Sequence, residues 1–502
     1  MKNIYIIAIF ISLLAFSCSD VDEQLYDKLP EEVYPESDAQ VASMTVDAYA
    51  QMQDLADDAG WWFWAQEVSS DELVFPTRDA DWDDGGKWRV MYQHTWSNDV
   101  EGVNRMWDKL FAGVTRSNQI LDMLKQLPES EAIDTKIKEV EVMRSFYYYL
   151  LIDNYGDVPY LTTAIGVPEQ PFKNRRAAIF DSLTTLVETN YPALKPINNK
   201  LMATRYMAFG LLAKLYLNAQ VYTGTAQWEK AQQYTDSVIN APFFSLDPTV
   251  TGPFLTDNSS NSEIIFSIPY DENDFTGFRI HMRTLHYQSN LTYDMNVGPW
   301  NGCAVTYQHF QTYADNDLRK SSWFLYGPQF TSAGHPIIES ITGAPLNLNP
   351  EIPAVRMDAT FTPSQIRTTG ARIKKYEIKK GAKENLSNDF PLFRLSDFYL
   401  MKAEIEIRLG NNGDEWINPI RQRAQVSPFN NATLDDVLAE RGRELFAEGH
   451  RRQDLIRFDR FTRAWWGKGD SQGGKAGDPA VKTFPIPKWA TDANPNLLEN
   501  AQ

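Results

Sequence analysis

Apolar residues recur at helical spacing along much of the chain, and residues 203–239 show this most clearly. Tyr206, Phe209, Ala213 and Tyr216 follow one another at steps of three and four residues, so they share one face of a helix. A second apolar stripe beside them leaves only a narrow polar edge, which is typical of a helix packed on several sides. A Thr-Gly-Thr break and a second apolar period follow. We therefore predict a helical hairpin with spacing similar to a tetratricopeptide unit, although an ordinary buried hairpin fits the spacing equally well.

The same reading predicts a mainly α protein with one irregular part. Two short strands are predicted there, at residues 263–269 and 372–376, among scattered Pro, Gly, Asn and aromatic residues. A long stretch without regular structure inside a folded protein is usually functional. We expect a single body, residues 38–502, with helical residues 38–241 (including a Trp-rich loop at 61–99), irregular residues 242–390, and residues 391–502 with helices and an extended tail.

The N-terminus has the pattern of an export signal. Lys2 precedes an apolar run at residues 4–16, which is too short to span a bilayer and fits a signal peptide over residues 1–17. The next residue, Cys18, ends a segment that resembles a bacterial lipoprotein cleavage box. We predict that Cys18 is the lipid anchor and that acidic residues 18–37 form a tether; a soluble secreted protein cut nearby is the alternative.

Composition restricts the classes of partner. The net charge of −18 argues against nucleic acid and against direct binding to an anionic membrane surface. The chain contains 14 Trp and 23 Tyr residues, more than a core needs, so some rings are candidates for a binding surface. The histidines show no zinc-ligand spacing, and no phosphate-binding or dinucleotide motif is present, so we predict no metal site and no cofactor; a structural calcium ion in the Asp-rich loops is the alternative.

Several segments share motifs with one known family. They are residues 144–159 (RSFYYYLLIDNYGDVP), 394–404 (RLSDFYLMKAE), 440–457 (ERGRELFAEGHRRQDLIR) and 485–497 (PIPKWATDANPNL). In this order, and over nearly the whole mature chain, they resemble the RagB/SusD family of outer-membrane nutrient-binding lipoproteins. The acidic residues after Cys18 look like the surface-export signal of Bacteroidetes lipoproteins.

The resemblance implies both a fold and a role. The fold is a SusD-like scaffold of four tetratricopeptide-type helical hairpins with a loop-rich irregular half and a few short strands. The role is a non-catalytic one, in which the protein captures an oligosaccharide outside the cell and passes it to a SusC-like TonB-dependent transporter. Contact with the membrane would be through the lipid anchor only. A peptide-binding lid of the RagB type is the alternative within this family.

Two stretches combine aromatic rings with polar residues, which is the combination that sugar binding requires. A sugar stacks its C–H faces on a ring while polar groups meet its hydroxyls, so exposed Trp or Tyr residues beside Asp, Asn or Arg are the expected pattern. The stretches are residues 78–88 and 287–307. The predicted ligand-binding residues are Trp82, Trp88, Trp300, Tyr293, Arg78 and Asp79. Packing of these rings in the irregular half is the competing interpretation.

Two charged clusters admit an enzymatic interpretation, which we consider weaker. The residues 440–457 place opposite charges three and four positions apart, which favours an ion-pair network over acid–base catalysis. Glu67, Asp71 and Glu72 could supply the two carboxylates of a surface glycoside hydrolase, but the sequence does not indicate the required separation. We therefore predict a binding protein rather than an enzyme.

Overall fold

The computed structural model describes residues 38–56 and 60–499. The predicted signal peptide, the Cys18 anchor and the acidic tether lie outside the described residues. One compact unit begins at Thr45, and the description below concerns that unit. Among the described helices, none combines the length and the apolar character that crossing a bilayer requires.

The described residues are mainly helical, in agreement with the predicted fold class. The helices are α1 (Asp38–Ala50), α2 (Trp62–Val68), α3 (Lys87–Tyr92), α4 (Glu101–Leu124), α5 (Glu131–Tyr155), α6 (Arg176–Asn190), α7 (Arg205–Leu217), α8 (Ala219–Thr223), α9 (Trp228–Ile239), α10 (Ile280–Thr284), α11 (Asn290–Tyr293), α12 (Tyr307–Phe310), α13 (Leu318–Trp323), α14 (Pro363–Thr368), α15 (Leu395–Arg408), α16 (Asp414–Arg423), α17 (Leu434–Glu444), α18 (Arg451–Arg457) and α19 (Lys488–Ala493).

The longer helices pack in consecutive pairs. The helix α4 packs against α5, α5 against α6, α7 against α9, and α15 against α16 and α17. Side chains of Ser130 and Thr204 cap the starts of α5 and α7 by accepting hydrogen bonds from the first turn. In the helical hairpin predicted at residues 203–239, Ala213 and Tyr216 are buried as predicted. The arrangement agrees with the predicted scaffold of tetratricopeptide-type hairpins.

Residues 242–390 contain more regular structure than the sequence indicates. The strands are β1 (Leu73–Val74), β2 (Thr77–Arg78), β3 (Ile264–Ile268), β4 (Ala304–Val305), β5 (Phe324–Leu325), β6 (Gly327–Pro328), β7 (Asn347–Leu348), β8 (Arg356–Met357), β9 (Arg372–Ile373) and β10 (Phe390–Arg394). Most are two residues long, too short for an alternating pattern to be read from the sequence. They pair as β1–β4, β3–β10, β5–β9 and β6–β7, all antiparallel, and as the parallel pair β2–β8.

The pairs β1–β4 and β2–β8 join the Trp-rich loop to the irregular part. Leu73 lies opposite Val305, and Thr77 lies opposite Arg356. Each pair crosses more than two hundred positions of sequence. The two stretches predicted to bind ligand, residues 78–88 and 287–307, are brought together by these contacts.

The charge cluster at residues 440–457 forms buried ion pairs, as predicted. Glu444 is fully buried, and its carboxylate lies within 3.0 Å of Arg319, Arg394 and Arg423. The spacing predicts partners on neighbouring turns of one helix. The structure instead takes the partners of Glu444 from separate elements. A buried carboxylate needs several donors around it, and residues close in sequence cannot all reach it. The network therefore ties the C-terminal helices to the rest of the unit.

Candidate functional site

The loop after β2 is held in an unusual backbone conformation. The backbone N–H of Arg78 donates to the carbonyl of Asp81 (2.8 Å), and the N–H of Asp81 donates back (3.1 Å), which closes a tight turn. Asp79 and Trp82 have φ angles of 61° and 60°, which are rare for residues with a side chain. Such strain persists only where surrounding contacts impose it, and it is often found at binding sites.

Trp82 and Trp300 are joined by a hydrogen bond, and both are half-buried and packed against the hydrophobic core. The indole N–H of Trp82 donates to the carbonyl oxygen of Trp300 at 2.8 Å. The backbone N–H of Trp300 in turn donates to the carbonyl of Met282 at 2.7 Å. Gly302 leaves the space that the Trp82 ring fills, because a Cβ atom there would lie 2.4 Å from Cε2 of the indole. The structure thus brings together two of the predicted ligand-binding rings.

A guanidinium group lies close to both indoles. The Cζ atom of Arg283 is 5.5 Å from the ring centroid of Trp82 and 5.4 Å from that of Trp300. At this distance the cation is attracted by the negative face of each ring. The backbone of Arg283 also takes part, since its carbonyl accepts from the N–H of Gly302 at 2.8 Å. Arg283 therefore helps to fix the relative position of the two rings.

Tyr287 is a third ring of this surface. It was not among the ligand-binding residues predicted from the sequence. Its hydroxyl donates to the carboxylate of Asp81, beside Trp82. Burial, followed by the hydrogen bond to Asp81, raises the pKa of Tyr287 to about 12. The guanidinium of Arg367 lies 4.6 Å from the Tyr287 ring centroid, and its Nε donates to Glu339 at 2.7 Å. We call Trp82, Tyr287 and Trp300 the ring surface.

Trp88 does not belong to this surface, although the sequence predicts an exposed ring. It is 1% exposed, stacked between Phe75 (3.9 Å between centroids) and Trp61 (4.4 Å), so both faces of its indole are covered. Its N–H donates to Asp84 at 2.9 Å. The expectation of exposure was wrong here because neighbouring aromatic residues bury this ring in the core.

Arg78 is also placed differently from the prediction. Its side chain is 2% exposed, and its guanidinium donates to the carbonyls of Ile366 (2.6 Å) and Thr369 (3.0 Å). Burial lowers the pKa of Arg78 to about 10. In this arrangement the side chain joins β2 to the end of α14 rather than pointing to solvent. Through these hydrogen bonds the buried Arg78 side chain supports the loop that follows β2.

The remaining predicted residues, Asp79 and Tyr293, are not joined to Trp82 or Trp300 by a side-chain hydrogen bond or ring contact in the described part of the chain. Asp79 is exposed, and its backbone N–H donates to the carbonyl of Met357 at 2.7 Å. Tyr293 is half-buried at the end of α11, and burial raises its pKa. Contact of either residue with a ligand stays a prediction.

The arrangement is suited to binding a flat, hydroxyl-rich molecule. The half-buried rings supply apolar surface, and Asp79, Asp81 and Arg367 supply acceptors and donors around them. The carboxylates that could suggest a hydrolase are placed otherwise, since Glu67 and Glu72 are fully buried. No group of three or more His, Cys, Asp or Glu residues suited to a metal ion occurs in the described parts of the chain.

Comparison with protein families gives two matches that together cover most of the chain. A model described as the SusD family matches residues 357–502. A second model, described as starch-binding and associating with the outer membrane, matches residues 21–217. The starch-binding protein SusD of Bacteroides thetaiotaomicron is 24% identical over 487 residues, covering 87% of this chain and 84% of the relative.

Solved structures share the fold at low sequence identity. Surface glycan-binding protein A from Bacteroides thetaiotaomicron, solved with laminarihexaose, superimposes with a TM-score of 0.73 at 20% identity, covering 91% of this chain and 97% of the other. A SusD superfamily protein from Parabacteroides distasonis has a TM-score of 0.73 at 18% identity, covering 94% and 99%.

Proposed function

We propose that this chain, which belongs to the SusD family, is a cell-surface glycan-binding protein whose ring surface stacks against sugar units. The observation that carries the proposal is the contact between Trp82 and Trp300, which holds two half-buried tryptophans next to each other. The names of its relatives support a glycan as ligand, since they include a starch-binding protein and a protein solved with laminarihexaose.

Binding, in this proposal, breaks no bond in the ligand. Sugar units would stack on Trp82, Tyr287 and Trp300, and contacts of Asp79 and Tyr293 with neighbouring hydroxyls are part of the proposal. Trp88 and Arg78 are buried and do not contact the sugar; they support the loop that carries Trp82. Stacking on rings that are already in place costs little ordering of the protein, which favours affinity on a shallow surface.

We further propose that the protein works at the outer membrane beside a SusC-like TonB-dependent transporter, to which it delivers the captured oligosaccharide. The family description of proteins associating with the outer membrane supports this location. Lipidation of Cys18 would supply the anchor. Co-purification of a transporter barrel with the tagged protein from detergent-solubilised outer membranes tests the partnership, and absence of any barrel after cross-linking would contradict it.

The binding proposal is tested by electrophoresis in native gels that contain soluble starch, laminarin, xylan or another neutral polysaccharide. We expect at least one polysaccharide to retard the wild-type protein and Trp82→Ala and Trp300→Ala each to reduce the retardation. Trp489→Ala is the matched control, because Trp489 is 50% exposed on α19 and lies outside the ring surface. Equal retardation of all three variants would contradict the site.

The rival functions give different results in the same preparation. Release of reducing sugar from the retarding polysaccharide would indicate a glycoside hydrolase. Binding of peptides, together with no retardation by any polysaccharide, would indicate a peptide-binding lid of the RagB type.

A further inference from the structure

A concave site near the C-terminal tail is lined by residues that do not belong to the ring surface. It is a cavity of about 250 Å³ whose walls include Trp96, Phe484, Val481, Lys475, Asp478 and Thr483. We call it the Trp96 pocket. Sites for drug-sized ligands usually measure roughly 300–1,000 Å³, so this cavity has room for a single small ring system.

The apolar wall of the pocket is aromatic and firmly packed. Trp96 is half-buried, and its ring centroid lies 4.8 Å from that of Phe484 and 4.8 Å from that of His94. Phe484 is held in turn by its backbone N–H, which donates to the carbonyl of Asn154 at 2.7 Å. Trp96 therefore lines the cavity with an indole whose position is restricted by its neighbours.

Three polar side chains form another part of the cavity wall. Lys475 is exposed and Thr483 is half-buried, and within the described residues no other protein group bonds to the Lys475 ammonium or to the Thr483 hydroxyl. One carboxylate oxygen of Asp478 accepts from the N–H of Ala480 at 2.9 Å, and the other is available. The backbone N–H of Lys475 donates to the carbonyl of Gln93 at 2.9 Å, which fixes this wall to the end of α3.

The combination determines the class of ligand. A cavity lined by an indole, one donor, one acceptor and one hydroxyl suits a molecule with an apolar face and several hydroxyls at its edge. The opposite charges of Lys475 and Asp478 balance each other, so a ligand without net charge is favoured. We infer that the Trp96 pocket is a second glycan-binding site, which takes one uncharged pyranose unit independently of the ring surface.

The test uses a glycan array of neutral gluco-, xylo-, manno- and galacto-oligosaccharides. The double variant Trp82→Ala/Trp300→Ala removes the indoles of the ring surface and leaves the Trp96 pocket intact. We expect this variant to keep weak binding to a subset of the glycans that the wild type binds. Adding Lys475→Ala and Thr483→Val should then weaken the residual binding about tenfold, because two hydrogen bonds are lost.

The matched control carries Lys488→Ala and Thr491→Val on the same Trp82→Ala/Trp300→Ala background. These substitutions have the same chemistry and lie on α19, outside the pocket. They should leave the residual binding unchanged. Absence of residual binding across the array, or residual binding that Lys475→Ala/Thr483→Val does not weaken, would overturn the inference. Capture of peptides rather than glycans by the Trp82→Ala/Trp300→Ala variant would also overturn it.

Titration calorimetry in the wild-type background gives a second measurement that does not depend on the tryptophan variants. With the shortest array glycan that binds, we expect two sites per protein in the wild type and one in Lys475→Ala/Thr483→Val. An unchanged number of sites would refute the second site while leaving the ring surface untouched.

Discussion

The contact between Gly302 and Trp82 allows the position of one ring to be changed without removing it. A Cβ atom at position 302 would lie 2.4 Å from Cε2 and 2.5 Å from Cζ2 of the Trp82 indole. Non-bonded carbons settle at about 3.5–4.0 Å, so Gly302→Ala must push the indole away by about 1 Å or more. We expect the 2.8 Å hydrogen bond from Trp82 to the carbonyl of Trp300 to break as a result.

The size of the effect follows from these two changes. Loss of the hydrogen bond costs about 0.5–1.5 kcal/mol, and overpacking at a filled site costs about 1–3 kcal/mol of folding stability. The displaced indole no longer lies beside Trp300, so a ligand that stacks on both rings loses part of its contact. We expect the affinity for the retarding polysaccharide to fall about tenfold, equivalent to about 1.4 kcal/mol.

Gly298→Ala is the matched control for Gly302→Ala. A Cβ atom at position 298 would meet only the carbonyl oxygen of Tyr287, at 3.4 Å, which is an ordinary contact. Affinity is measured by gel retardation at 25 °C, where circular dichroism and a thermal melt establish that each variant is folded. If Gly302→Ala binds as tightly as the wild type and as Gly298→Ala, the position of Trp82 is irrelevant to binding and our reasoning fails.

Three further predictions concern stability and anchoring. Arg394→Met should lower the free energy of unfolding by about 3–5 kcal/mol in chemical denaturation, because it removes a buried cation that Glu263, Glu444 and Glu448 share; Lys488→Met, which breaks an exposed pair with Asp492, should cost less than about 1 kcal/mol, and equal losses would contradict the role of burial. Burial raises the pKa of Glu67 from 4.5 to about 7, so the folded state retains a proton that the unfolded chain releases, and the contribution of Glu67 to stability should fall as the pH rises through this window. Glu67→Gln removes this contribution, so in thermal melts its stability relative to the wild type should increase as the pH rises from about 4.5 to 7; a constant difference between the two proteins would show that Glu67 does not titrate in this way. Cys18→Ala should abolish incorporation of labelled palmitate, and retained label would remove the proposed anchor.

The helical scaffold could be predicted from the sequence because its signals are local. Tyr206, Phe209, Ala213 and Tyr216 recur at the period of a helix, and packing against neighbouring helices follows from the width of the apolar face. The helix α5, for example, begins after the capping residue Ser130 and ends before Gly156. Such signals need only a few neighbouring residues, so they survive in a single sequence.

The candidate site could be predicted only in part, because its contacts are long-range. Trp82 and Trp300 were predicted because each lies in a stretch that combines aromatic and polar residues. The hydrogen bond that joins them spans 218 positions of sequence and has no local signal. Tyr287 began a stretch already selected, whereas Arg283 and Arg367 had no local signal that related them to any ring. Trp88 shows the converse error, since its Gly- and Asp-rich neighbours suggest a surface loop while Phe75 and Trp61 cover both of its faces.

The restraints on the Trp82 ring explain how a shallow surface could bind a glycan. A ligand on such a surface buries little area, so affinity depends on how little the protein must be ordered when the ligand arrives. Trp82 is fixed by its hydrogen bond to Trp300, by the space above Gly302 and by the guanidinium of Arg283. Three independent restraints leave its indole few alternative positions. The conformational cost of ordering Trp82 is thus met during folding, as the proposed binding of a glycan at this shallow surface requires.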